Sequence, residues 1–196
     1  MLYQLNARYR RNVYFYYSEA DNGDDYLRLM CGETMTASNP LVYKIDKIDH
    51  YVENYDILPT YDGFLVNKRT KELFETFCDE IQFIPVKIID EKGVESISSY
   101  WAANILSVIP VLDKKLSVYK VDKKKNYDIY MACYDKEKMG NHHIVRMEEH
   151  TSYIIVSEHF RNVIKKNKLK GFDFLESGST IYTEEALNEY RRKMGR

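Results

Sequence analysis

The sequence predicts an α+β fold with a mixed, largely antiparallel sheet and helices on one of its faces. Two observations support this prediction. A strand–helix–strand pattern occurs twice, over residues 63–90 and 153–176. The segments before and between these two units show the residue alternation and turn signals of antiparallel strands. Related strand–helix–strand units combined with several antiparallel strands are typical of an α+β domain.

Each unit begins with a short apolar run that ends at a helix-capping residue. Asn67 ends the first run and Ser157 ends the second. We expect both to cap a helix, because the side chains of asparagine and serine can accept hydrogen bonds from backbone N–H groups in the first helical turn. The apolar spacing that follows predicts an amphipathic helix over residues 68–79. In the second unit, we expect Gly171 to end the helix, because glycine readily takes the left-handed conformation.

A return strand follows each helix. Phe83 in the first unit and Phe174 in the second occupy equivalent positions when the two units are aligned. Pro85 indicates an edge or a bulge, because proline has no N–H to donate to a neighbouring strand. The length of each unit also allows its two strands to run parallel, as in a βαβ crossover.

The remaining elements are predicted from local alternation and turns. Strands are expected near residues 2–5, 13–17, 98–107, 117–121, 127–134 and 143–147, and a C-terminal helix is expected over 183–193. We expect residues 1–62 to form an acidic, tyrosine-containing region packed on a core of residues 63–196. Together they are expected to make one compact domain.

Composition excludes several classes of protein. The chain has 196 residues, 44% of them apolar, and a net charge of −1. This charge does not favour nucleic acid or an anionic membrane as a partner. The N-terminus lacks the apolar stretch of a secretory signal. We therefore expect a cytoplasmic protein whose cysteines (Cys31, Cys78 and Cys133) are free thiols.

No motif predicts catalysis or a cofactor. The adjacent His142 and His143 would point to opposite faces of a strand, so they could not readily share a metal ion with each other. We expect no metal site, no other cofactor and no enzymatic activity. A hydrolase that uses a cysteine and a histidine remains an alternative, and His143 is the residue to test for it.

The segment from Ser18 to Asp62 has a marked acidic surplus. Its ten acidic residues face only three basic ones, and it carries several tyrosines, including Tyr43 and Tyr61. Such a surface suits the binding of a basic protein, although ordinary polar loops would have the same composition. The expected contact residues are Asp21, Asp24, Asp25, Tyr26, Asp46, Asp49, Tyr51 and Tyr55.

Several short motifs follow one another between residues 57 and 176. They are Val66-Asn67-Lys68, Phe83-Ile84-Pro85-Val86, Tyr100-Trp101 with Leu112-Asp113 and Ser117, His143-Ile144-Val145-Arg146, and Ile155-Val156-Ser157-Glu158 with Gly171-Phe172-Asp173-Phe174. In this order they resemble the bacterial polymorphic-toxin immunity proteins of immunity family eleven. The first unit departs from the family pattern, since Asn67-Lys68 replaces Ser-Glu.

The resemblance implies a cytosolic antitoxin that binds and occludes a cognate toxin, and it brings no catalytic residues. We expect the motif residues to support the fold. They are Asn67, Phe83, Pro85, Trp101, Asp113, Arg146, Ser157, Gly171 and Phe174. The alternatives are an adaptor protein unrelated to toxins, the hydrolase, and a nucleic-acid binder. The sequence also leaves open whether the chain forms a homo-oligomer.

Overall fold

The computed structural model describes residues 1–23 and 26–193. The strands are β1 (Leu2–Ala7), β2 (Tyr16–Tyr17), β3 (Leu41–Ile45), β4 (Ile57–Pro59), β5 (Phe64–Asn67), β6 (Ile81–Asp90), β7 (Tyr100–Ile105), β8 (Val108–Ile109), β9 (Val118–Val121), β10 (Tyr127–Met131), β11 (Ile144–Met147), β12 (Ile154–Ser157) and β13 (Phe172–Glu176). The helices are α1 (Glu19–Asn22), α2 (Leu27–Met30), α3 (Lys68–Glu75), α4 (Lys136–Met139), α5 (Glu158–Lys166) and α6 (Glu184–Lys193), with a 3-10 turn at Val52–Asn54.

The described strands form three sheets. One has the order β2-β3-β6-β7-β5-β4, one has the order β13-β1-β12-β11-β8, and β10 pairs with β9. Only the β3–β6 and β8–β11 pairs are parallel among these described strands. The predicted α+β class and the mixed, largely antiparallel pairing are confirmed. The division into separate sheets differs from the one sheet expected, because each repeated unit builds its own.

The two repeated units share one topology. In the first unit, β5 and β6 run parallel on either side of the antiparallel strand β7. In the second, β12 and β13 run parallel on either side of the antiparallel strand β1. Each unit is thus a crossover that leaves room for one inserted strand. The parallel direction agrees with the sequence, but the two strands of a unit do not pair with each other.

The predicted capping residues begin both helices. The Asn67 side chain accepts from the N–H of Thr70 at 3.0 Å, and Ser157 Oγ accepts from the N–H of Phe160 at 3.2 Å. Helix α3 ends at Glu75, four residues earlier than predicted. The Thr76 hydroxyl there donates to the carbonyl of Leu73, which satisfies a group at the helix end.

Gly171 does not end α5, contrary to the prediction. The helix ends at Lys166, and Lys168 takes the left-handed conformation with φ 53°. Gly171 lies farther along, in the turn before β13, with φ 95°. A Cβ atom there would lie 2.8 Å from the carbonyl oxygen of Ile57. The glycine is required by this close approach rather than by the helix end.

Three apolar clusters fill the molecule. The central cluster joins both larger sheets to α3 and α5, and the rings of Phe74 and Phe160 meet there at 4.9 Å. The second cluster covers the outer face of the six-stranded sheet and contains Leu29 of α2. The third covers the outer face of the five-stranded sheet and contains Met139 of α4. The two helices of the repeated units thus share one layer.

Residues 1–62 contribute to both larger sheets. Strand β1 lies inside the five-stranded sheet, while β2, β3 and β4 belong to the six-stranded sheet. Strand β6 pairs with β3 only from Val86 onward, so Pro85 lies where β6 pairs with β7 alone. A missing N–H is tolerated at such a locally single-sided position.

Three other residues expected to be structural also take part in packing or turns. Trp101 and Phe83 pack partly against the central cluster, and the Lys71 ammonium lies 5.7 and 5.6 Å from their rings. The Asp113 carboxylate accepts from the N–H groups of Lys115 and Leu116, which holds the turn before β9.

Among the helices of the described segments, none is both long and apolar enough to cross a membrane.

Phe174 and the C-terminal helix close the second unit. The Phe174 ring packs edge-to-face against Tyr3 of β1, with 6.4 Å between the ring centroids. The predicted C-terminal helix is confirmed as α6, whose N–H at Ala186 donates to the Thr183 hydroxyl at 3.3 Å. The Phe174–Tyr3 contact packs β13 against β1, and the Thr183 cap begins α6.

Candidate protein-interaction surface

Asp46 and Asp49, two of the predicted contact residues, are neutralised within the molecule. Arg11 donates through Nη1 to both carboxylate oxygens of Asp46, at 2.9 and 2.7 Å. Its Nε lies 2.8 Å from one carboxylate oxygen of Asp49, and the other oxygen accepts from the Tyr9 hydroxyl. The Tyr9 hydrogen bond and Arg11 help to lower the pKa of Asp49, against the opposing effect of burial. Both carboxylates therefore have a partner before any protein binds.

Tyr51 and Tyr55 belong to the same neighbourhood. The Arg10 guanidinium lies 4.0 Å from the centroid of the Tyr51 ring. The Tyr55 ring packs against Tyr9 at 5.0 Å and is half-buried. Tyr43, which the sequence placed on the same acidic surface, is fully buried instead. Along β3, Leu41, Tyr43 and Ile45 point to the buried face, so the Tyr43 side chain enters the second apolar cluster.

Asp21 and Tyr26 lie on a different part of the surface. Lys44 approaches the Asp21 carboxylate at 2.6 Å, and the Ser18 hydroxyl donates to the same carboxylate. Both contacts lower the pKa of Asp21. Tyr26 precedes α2 and lines a recess described below. Asp24 and Asp25 fall outside the described residues.

Three tyrosines near this recess expose large parts of their rings. Tyr14, Tyr16 and Tyr61 are 41%, 50% and 56% exposed. The Tyr14 and Tyr61 rings stack at 4.7 Å, and Tyr16 lies 5.5 Å from Tyr61. A hydrogen bond with Tyr61 raises the pKa of Tyr16. We call these three residues the tyrosine patch.

The tyrosine patch separates two depressions, and Tyr61 lines both of them. The larger is a groove of about 630 Å³ between β1 and the loops around Pro59 and Ser152. The smaller, which we call the tyrosine recess, has a volume of about 200 Å³. It is lined by Tyr16, Tyr17, Glu19, Tyr26, Tyr61 and Asp62.

A buried polar network lies beneath the patch. The Asp62 carboxylate accepts from the Tyr43 hydroxyl, and the Arg146 guanidinium donates to the Asp62 carbonyl at 3.1 Å and to the Thr151 carbonyl at 2.6 Å. Burial raises the pKa of Asp62 and lowers that of Arg146 to about 10. The network ties the 60–63 loop, which carries Tyr61, to β11 of the other large sheet.

Tyr14 and Tyr16 are surface residues that were not among the contact residues predicted from the sequence. They alternate with Phe15, which is fully buried. Alternation along an extended segment places positions i and i+2 on one face and the intervening residue on the other. The alternation of residues 13–17, which predicts a strand, therefore also indicates that Tyr14 and Tyr16 share one face.

The amino-acid sequence was also compared with known proteins. The family model described as "Immunity protein family (Imm11)" matches residues 36–179, which is most of the chain. The chain belongs to the Imm11 immunity protein family. No curated protein matches it. Membership confirms the resemblance drawn from the motifs and assigns an immunity role, which implies a toxin as the partner.

Three histidines of this Imm11 family member each contact a different polar side chain, and the rings of His143 and His159 lie 4.8 Å apart. His142 Nδ1 lies 3.1 Å from Glu80, His143 Nδ1 lies 3.2 Å from Ser157 Oγ, and His150 Nδ1 lies 2.7 Å from Ser152 Oγ. Within residues 1–23 and 26–193, no group of three or more histidine, cysteine or acidic side chains could hold a metal ion.

The thiols of this Imm11 family member differ in exposure. All three are free, and Cys78 is buried, Cys133 is partly buried and Cys31 is exposed. Burial raises the pKa of Cys78 and of Cys133, which disfavours the reactive thiolate. Immunity proteins are generally not enzymes, and the environments of Cys78 and Cys133 are those of structural cysteines.

Proposed function

We propose that the protein is an antitoxin that binds a cognate toxin of a bacterial polymorphic toxin system and occludes it, so that the producing cell survives. The match to the immunity family over residues 36–179 is the observation that carries this proposal. Occlusion requires a rigid scaffold and a complementary surface but no reactive group. The engaged histidines and the buried Cys78 agree with such a role.

We further propose that the toxin contacts the face formed by the N-terminal third, around the tyrosine patch. Exposed aromatic rings supply the anchors that dominate many protein interfaces. Of the predicted contact residues, Asp21 and Tyr26 adjoin this face, and Asp24 and Asp25 lie between them in the sequence. Asp46 and Asp49 would contribute less, since Arg11 already compensates their charge.

Co-expression with the protein encoded immediately upstream tests the proposed function. We expect the wild-type protein to restore growth of cells that produce this neighbour and to co-purify with it. The matched control is Phe74→Asp, which places a charge in the central cluster and should abolish folding and rescue together. Failure of the folded wild type both to rescue growth and to co-purify would contradict the proposal.

Rescue without complex formation would contradict the occlusion mechanism while leaving an immunity role. Co-purification with proteins unrelated to any toxin, together with no rescue, would instead favour an adaptor. The histidine–cysteine hydrolase is tested by His143→Ala, for which we expect changed stability and unchanged protection, since His143 contacts the capping residue Ser157.

A further inference from the structure

The tyrosine recess combines aromatic walls with negative charge. Four of its lining residues are tyrosines and the other two are carboxylates, Glu19 and Asp62. None of the six lining side chains is basic. Tyrosine faces and carboxylates both attract cations, the first through the ring quadrupole and the second through charge and hydrogen bonding. The recess therefore has the chemistry of a cation pocket.

The two carboxylates occupy different depths. Glu19 is exposed on α1, whereas Asp62 is only 5% exposed. Asp62 accepts from the Tyr43 hydroxyl below, and Arg146 reaches the Asp62 backbone carbonyl rather than its carboxylate. An incoming cation would thus meet one carboxylate at the entrance and a second one inside. Burial already raises the pKa of Asp62, and a bound cation would favour its charged form.

The size of the recess suits one long side chain. Its volume of about 200 Å³ is several times the roughly 30 Å³ that one water molecule occupies. Tyr61 forms part of its wall and also stacks on Tyr14 outside it, so a partner that fills the recess would cover the exposed rings as well. A peripheral ring that excludes water around a central anchor is typical of strong contact sites.

We propose that the tyrosine recess receives an arginine or lysine side chain of the toxin, with the tyrosine patch covered by the apolar surface around that side chain. This inference rests on the proposed function and specifies its contact. An anion would be repelled by Glu19 and Asp62, and a purely apolar side chain would leave both carboxylates without a new partner.

The test measures binding of the purified upstream-encoded toxin to the purified protein and its variants. We expect Tyr61→Ala to weaken binding by at least about tenfold. We expect Glu19→Gln to weaken it by about threefold to tenfold and to reduce its salt dependence, because a charge near the contact is lost. Tyr182→Ala is the matched tyrosine control, 39% exposed and outside the patch, and Glu91→Gln is the exposed carboxylate control.

A second arm identifies the occupant. Each arginine and lysine on the toxin surface is replaced by glutamine, and each toxin variant is measured against wild type and Tyr61→Ala. We expect one toxin variant to bind the wild-type protein and Tyr61→Ala equally weakly. The contact between its replaced side chain and Tyr61 is already lost in Tyr61→Ala, so losing it a second time has no further effect. The inference is overturned if Tyr61→Ala weakens the binding of every one of these toxin variants as much as it weakens the binding of the unchanged toxin.

The outcomes separate the two proposals. Absence of any binding by the wild type would overturn the proposed function and this inference with it. Wild-type binding that is equally tight in Tyr61→Ala, Glu19→Gln and the two controls would overturn the inference alone. Self-association that disappears in Tyr61→Ala would also overturn it, since a second copy of the chain would then be the occupant.

Discussion

Replacement of Arg146 by methionine is expected to lower the free energy of unfolding by about 3–5 kcal/mol. Arg146 is fully buried, and its guanidinium donates to two backbone carbonyls, those of Thr151 and Asp62. Methionine is also unbranched and fills much of the same space, but it donates no hydrogen bond. The variant therefore removes the charge and its bonds while disturbing the packing little.

The magnitude follows from opposing contributions. A buried carbonyl that loses its donor costs about 1–3 kcal/mol. The bond to Asp62 is buried and the bond to Thr151 is partly buried, so the two carbonyls together account for at most about 6 kcal/mol. The buried Asp62 carboxylate also loses its nearby positive charge. In the other direction, burial lowers the pKa of Arg146 from 12.5 to about 10, so the folded protein bears a cost for holding this charge. Methionine recovers part of that cost, which keeps the net effect within the stated range.

Chemical denaturation followed by Trp101 fluorescence measures the effect. Trp101 is the single tryptophan and lies half-buried in β7, so its emission should report unfolding. The matched control is Arg8→Met, because Arg8 pairs with Asp173 at 2.9 Å but its side chain is 73% exposed. Such an exposed pair contributes at most about 1 kcal/mol.

A double variant sharpens the interpretation. Adding Asp62→Asn to Arg146→Met removes the carboxylate charge that Arg146 no longer compensates and should restore part of the lost stability, while the Tyr43 hydroxyl keeps an acceptor. If Arg146→Met were no less stable than Arg8→Met, the reasoning about the buried guanidinium would be refuted.

Two further predictions concern backbone geometry and pH. Gly171→Ala should destabilise the protein more than Gly93→Ala in the same denaturation assay, since both have positive φ but only Gly171 has backbone atoms within 3 Å of the added Cβ; equal effects would count against the steric argument. Above about pH 10, stability should fall as pH rises, by up to about 1.4 kcal/mol per pH unit for each tyrosine whose pKa folding raises, because the unfolded chain then loses protons that the folded chain keeps. The tyrosines concerned are Tyr9, Tyr43, Tyr100 and Tyr134. Arg146 opposes this trend, but it is one group against four tyrosines. The prediction would be contradicted if the denaturant concentration at the midpoint of unfolding were as high at about pH 11 as at about pH 9.

The sequence predicted the features that depend on neighbouring residues. Asn67 and Ser157 were identified as caps because a capping bond reaches only two or three residues along the chain. The structure also explains the departure from the family pattern at Asn67. Its amide nitrogen donates to the Asp56 carboxylate at 2.9 Å while its oxygen caps the helix. A serine has one short hydroxyl in place of these two separate groups.

The candidate site was harder to predict, because part of the acidic surplus of residues 18–62 is compensated from outside that segment or buried. Arg11, which compensates Asp46 and Asp49, precedes the segment and lies 35 residues from Asp46. Asp56 and Asp62 are buried at 6% and 5% exposure. A charge count along the chain includes such residues as surface charge, since only the folded structure shows which carboxylates are enclosed.

The partition into sheets depends on contacts between distant parts of the chain. Strand β7 follows the first unit directly and fills the space between β5 and β6, whereas the second unit receives β1 from the opposite end of the sequence. Nothing in the residues near β12 and β13 indicates that their common neighbour is the N-terminal strand. Pairing partners at such separations are not encoded in local periodicity.

The origin of β1 also bears on the domain organisation that the sequence suggested. Without β1, both β12 and β13 would present unpaired backbone groups toward each other, and the central cluster would lose Tyr3 and Leu5. Buried backbone groups without partners are costly, so the second unit depends on the first residues of the chain to complete its sheet. We therefore propose that residues 1–62 and 63–196 form one cooperative domain. The face that bears the tyrosine patch would then be held by the same core that holds the two repeated units.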